Sequence, residues 1–118
     1  MTNLITITKE LSNYLDTLKR MFEQSEKPKA DKEFFQFVKK ETVPYFDLLE
    51  KWEFQALQAI RERKSTLHSQ QITSTKENME TLILHSYYID VRKRNYMEIN
   101  KSCHYIFNQV IKESQGEK

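Results

Sequence analysis

Glycine is almost missing from this chain: its 118 residues contain one, Gly116. Tight hairpin turns, phosphate-cradling loops and dinucleotide fingerprints all need backbone angles that glycine adopts without a Cβ clash. With residues 1–115 free of it, β-rich and Rossmann-type folds are excluded on the sequence alone. Cysteine is nearly as scarce, since Cys103 stands alone and can neither close an internal disulfide nor hold a structural zinc by itself. A reducing, cytoplasmic setting is the expectation. Only two prolines, Pro28 and Pro44, interrupt segments that helices tolerate best.

Charge of one sign is lacking too. Nineteen Lys and Arg stand against seventeen Asp and Glu, interspersed, for a formal net charge of +2, which gives no nucleic-acid or membrane-surface signature. No apolar run approaches the roughly eighteen residues that span a bilayer. The opening residues Met1 to Ile7 show neither a basic region nor a continuous apolar core of the secretory kind.

What the chain does have is periodic apolar residues. Leu4, Ile7, Leu11, Tyr14, Leu18 and Met21 repeat at three-four spacing, widened by Leu15 and Phe22, and predict a helix over about 3–24. A polar stretch with Pro28 follows, ending in Asp31 as an N-cap. From there Phe35, Val38, Thr42, Tyr45, Leu49, Trp52, Ala56 and Ile60 hold one phase straight through Pro44. Two unrelated helices have no reason to share a phase, so one long helix is expected over 31–64, kinked near Pro44 around Lys40; two helices meeting at Thr42 and Val43 are the alternative.

Ser74-Thr75-Lys76-Glu77 matches a capping box and places a third helix at about 74–88. Its stripe is Met79, Leu82, Ile83, Ser86 and Ile89, with Leu84 and Tyr88 nearly opposite. A fourth stripe, Tyr96, Ile99, Cys103, Ile106, Phe107 and Val110, is out of phase with the third by about a quarter turn, so a break near residues 88–92 and a last helix over 91–114 are expected, capped by Asp90 or, in reserve, Asn95. The expected architecture is all-α: a single domain over 1–118, an up-and-down antiparallel four-helix bundle whose long second helix overhangs its neighbours.

The stretch STKENMETLILHSYYIDVRKRNYMEINKS, residues 74–102, with the glycine-poor helical pattern over nearly the whole chain, resembles the YppE-like family of small proteins of bacilli. Residues 78–87 carry most of the likeness. The resemblance implies a helical bundle and brings no biochemical activity with it.

Catalytic and metal chemistry find little footing. Di-metal bundles use Glu-x-x-His pairs, and this chain has none; His68, His85 and His104 fall in a loop and on two helices. Ser86 faces away from His85, and Cys103 lies about 100° round the helix from His104, in the centre of an apolar stripe. No cofactor is expected. The Arg61-Glu62-Arg63-Lys64 cluster suits the C-terminal end of a helix. Arg92, Lys93 and Arg94 open a helix instead, where cations fit least well, although an Asp90–Arg94 pair would give them a local role. Phe37 and Phe54 lie off the second helix's stripe, and Tyr88 opposite the third's. The functional expectation is a non-enzymatic bundle that binds another protein or a second copy of itself, through Phe37, Phe54, Tyr88, Arg92, Lys93 and Arg94. A nucleic-acid-associated bundle using Arg92, Lys93 and Arg94, and a histidine-based metal-dependent enzyme, are the alternatives.

Overall fold

The computed structural model describes residues 2–24, 31–87 and 92–115. Among them are four helices and no strand: α1 Thr2–Glu23, α2 Lys32–Arg61, α3 Ser69–Tyr87 and α4 Lys93–Ser114. They form an antiparallel four-helix bundle. Helices α1 and α3 each pack against all three others, so they hold the short diagonal. Across the long diagonal α2 and α4 meet through large side chains, Trp52 edge-on to Phe107 with ring centroids 5.3 Å apart. The molecule measures 46 × 28 × 20 Å, and its long dimension is that of α2, whose 30 residues rise about 45 Å.

The stripes bury as their spacing requires. Leu4, Ile7, Leu11, Tyr14, Leu15 and Leu18 of α1 meet Leu49, Trp52, Ala56 and Ala59 of α2 in one core with Met79, Leu82, Ile83, Tyr96, Cys103 and Phe107. Each fully buried Leu, Ile or Phe stabilises the fold by about 1.5–3 kcal/mol. Several polar side chains taken into this core are paired across it, whereas the buried Asn100 Nδ2 has no hydrogen-bond partner among the described residues. The Trp52 indole N–H donates to Thr8 Oγ1 at 3.0 Å, and Thr8 in turn donates to the Leu4 carbonyl at 2.6 Å. The Ser86 hydroxyl lies 2.8 Å from the Tyr96 phenol and 2.7 Å from the Leu82 carbonyl, tying α3 to α4.

Helix ends explain where the boundaries depart from expectation. Asp31 caps α2, its carboxylate accepting from Phe34 N–H at 2.8 Å, and the helix continues unbroken through Pro44. Pro44 and Lys40 are both exposed, so the carbonyl deprived of its i+4 donor lies on the solvent side. The helix stops at Arg61 rather than 64 because Arg63 adopts φ 59. Lys64 N–H bonds the Ala59 carbonyl at 2.9 Å and Arg63 N–H the Ile60 carbonyl at 3.0 Å, a Schellman ending built without glycine.

Helix α3 starts five residues before the expected Ser74. The Gln71 side chain accepts the His68 N–H at 2.8 Å, half of a capping box six residues upstream of the expected one, and Ile72 is already buried. Ser74 and Glu77 are ordinary exposed positions inside the helix. At α4 the N-cap is Arg92, with no side-chain cap bond, and Asn95 lies in the first turn. Asp90 falls outside the described residues, as do Tyr88 and Ile89.

Candidate partner-binding surface

Antiparallel packing gathers the C-termini of α1 and α3 and the N-termini of α2 and α4 at one end of the bundle. There α2 outruns the core. Val38 and Thr42 are its first buried residues, and the contiguous core takes in α2 only from about Tyr45 onward. Before Val38 come Phe35 and Phe37, 52% and 53% exposed, and the half-buried Phe34, whose ring stacks toward Phe37 at 6.4 Å. Phe35 belongs to the apolar stripe by phase, so its exposure corrects the expectation that it joins the core: the register is right, but the core ends first.

The other expected positions scatter. Phe54 is 63% exposed, near the opposite end of α2, beside an open groove of about 350 Å³ lined also by Asn3, Gln55, Gln58 and Glu62. Arg92, Lys93 and Arg94 are all exposed at the same end as Phe37. Lys93 pairs with Glu23 at 3.5 Å and Arg94 with Glu98 at 3.6 Å, while the expected partner Asp90 lies outside the described residues. Arg92 makes no ion pair among the described residues.

The histidines do not converge. His104 sits 3.0 Å from Asp16 across the α1–α4 seam, His68 is exposed at the start of α3, and burial lowers the His85 imidazole below its ordinary value. Among the described residues no group of three His, Cys, Asp or Glu is placed to hold a metal. Burial also pushes the Cys103 thiol up to about 12, which leaves almost no thiolate at neutral pH. For Tyr14, stacked on Tyr45 at 3.5 Å, burial and then the neighbouring Tyr87 and Tyr45 phenols push its pKa above the ordinary phenol value and keep it protonated.

One polar cluster escaped the sequence. Glu113, in the last turn of α4, accepts from Ser65 Oγ at 2.7 Å and from Thr66 N–H and Oγ1 at 2.8 and 2.7 Å, pinning the α2–α3 connection. Burial opposes its ionisation, but the bonds from Thr66 and Ser65 outweigh that and hold the carboxyl below its ordinary range. Neighbouring Ala56, Ile72 and Val110 leave a gap of about 10 Å³, room for one water at most. This is a structural clasp, with no space for a substrate.

The described residues thus define an all-helical bundle with no helix long and apolar enough to cross a membrane. The chain belongs to the family described as a bacterial domain of unknown function, DUF1798, whose pattern matches residues 8–114. It is 23% identical over 108 residues to the uncharacterised protein YppE of Bacillus subtilis strain 168, covering 91% of this chain and 88% of that one. The crystal structure of B. subtilis YppE superposes with a TM-score of 0.79 at 20% identity over 95% of this chain and 92% of that one. The solution structure of YppE gives 0.78 at 19% identity over 100% and 98%. At such identities the likeness establishes the fold alone.

Proposed function

We propose that this chain is a protein-binding helical bundle that works through the projecting N-terminal turns of α2. The observation that supports this is the half-exposed pair Phe35 and Phe37 on a helix that continues, still apolar on its inner side, past the core that covers the rest of it. Exposed aromatics clustered at one end are characteristic of interface anchors, which are enriched in such side chains. Non-enzymatic action fits the same picture, because Cys103 is buried with its thiol protonated, His104 is paired with Asp16 and Glu113 is held by Ser65 and Thr66.

The test is quantitative affinity capture from the source organism, comparing the wild-type chain with a Phe35→Ser/Phe37→Ser variant of unchanged helicity. Proteins retained by the wild type and depleted about tenfold or more by the variant are expected, a loss of roughly 1.4 kcal/mol. Identical captured sets would overturn the reading.

A further inference from the structure

The flank of α2 that looks out beside α3 reads alike from either end. Phe35, Lys39, Val43, Phe46, Glu50 and Phe54 stand four, four, three, four and four residues apart, and at about 100° per residue they share an arc of about 100°. Phe37 lies outside that arc. The order is aromatic, cation, apolar, apolar, anion, aromatic, so the stripe turned end for end matches itself with the two charges exchanged. Lys39 and Glu50 are exposed and lack ion pairs among the described residues. On antiparallel α3, Lys76 pairs with Glu53 at 3.6 Å, which puts Leu84, eight residues on, level with about residue 45 of α2. Leu84 is 46% exposed and so adjoins the middle of the stripe. Phe35, Val43, Phe54 and Leu84 are four of the six large apolar side chains exposed among the described residues, gathered on this one side.

A surface that matches itself when reversed is what a two-fold axis requires. A second copy laid antiparallel, with the axis crossing α2 between residues 44 and 45, sets Lys39 against Glu50, Phe35 against Phe54 and Val43 against Phe46, each contact made twice, with Leu84 beside its own counterpart. A copy laid parallel, α2 over α3, would instead bring Glu50 over Glu80, like charge on like charge. Size fits as well. The antiparallel copies overlap along about 25 residues of α2, about 37 Å, and two helices side by side are about 20 Å wide, a footprint near the roughly 800 Å² that each partner of a stable dimer buries. We infer that the occupant of this face is a second copy of the chain, docked antiparallel about a two-fold axis at the middle of α2. This rests on the protein-binding reading above and names the partner at Phe35, leaving Phe37 outside the contact.

Sedimentation velocity of the purified full chain, from about 5 to about 500 µM, is expected to show monomer passing into dimer, and less dimer at about 500 than at about 50 mM salt. Lys39→Glu and Glu50→Lys should each raise the dissociation constant about tenfold or more, because each turns two symmetry-related contacts repulsive, and the two reversals combined in one chain should return it to within about threefold of the wild type. Phe54→Ser should weaken the dimer comparably and Phe37→Ser should leave it unchanged, with circular dichroism showing every variant as helical as the wild type. A chain monomeric throughout, single reversals without effect, a double reversal that fails to restore association, or growth past the dimer would each overturn the proposal. Affinity capture keeps the broader reading separate. A monomer whose captured proteins are still depleted by Phe35→Ser/Phe37→Ser would overturn the second copy and leave protein binding standing.

Discussion

Replacing Arg63 with glycine should stabilise the protein. Arg63 closes α2 at φ 59, a conformation in which its Cβ crowds the following carbonyl. That crowding costs about 1–2 kcal/mol, and glycine removes it. Glycine also loosens the unfolded chain, which returns about 0.4–1 kcal/mol of the gain. The cation itself interacts with the C-terminal end of the helix dipole, so the proper reference is Arg63→Ala, which loses the same charge but keeps the Cβ. Relative to that alanine variant, glycine should gain about 0.5–1 kcal/mol. Unfolding entropy for 118 residues is about 250 cal/mol/K, so the difference corresponds to roughly 2–4 °C in Tm. Thermal melts followed at 222 nm, with urea titrations in parallel, measure it. Alanine and glycine variants melting within about one degree of each other would refute the strain argument.

Three further outcomes follow from buried or clasped groups. Glu113→Ala should cost about 1–2 kcal/mol by freeing Ser65 and Thr66; because the folded carboxyl ionises below its ordinary 4.5, the clasp's contribution is present above that pH and is lost as pH falls through the folded value, so acid titrations of wild type and variant should converge. Thr8→Val keeps the shape but strands the fully buried Trp52 indole N–H, and urea unfolding should show a loss of about 1–3 kcal/mol; a loss under about 0.5 would mean the indole finds another acceptor. Cys103, buried and pushed up to about 12, should resist Ellman's reagent in the native protein and react at once in denaturant, whereas a stoichiometric native burst would contradict its burial.

The interior was legible because each stripe carries its own phase: Leu4 through Leu18 could be placed on one face without knowing what covers it, and the unbroken phase across Pro44 identified a single helix where the proline alone suggested two. The ends were less legible, for three separate reasons. Ser74-x-x-Glu77 carries the capping signature, yet the cap forms six residues earlier through Gln71 on His68, a residue without a capping side chain at that position. Arg63 takes a role normally marked by glycine, so nothing announced the end of α2. Glu113 reaches partners 47 and 48 residues away, and no local pattern encodes such a contact. Phe37 and Phe54 were placed correctly off the stripe, but Phe35 was in phase with a core that stops short of it. Periodicity reports which face a residue shares; it does not report how far the neighbouring helix extends.

That last distinction separates two properties along one helix. The C-terminal half of α2 supplies Leu49, Trp52, Ala56 and Ala59 to the contiguous core, with Trp52 bonded to Thr8 and packed on Phe107. Its first turns contribute Val38 and Thr42 outside that core and leave Phe35 and Phe37 half in water. Truncating a buried aromatic such as Trp52 costs about 3–5 kcal/mol, a large share of the total for a domain of this size. Phe35 and Phe37 have far less buried area to lose. Substitutions there can therefore alter the proposed surface while leaving the fold intact, so lost binding at Phe35 and Phe37 would report on recognition, and the same loss at Trp52 would report on unfolding.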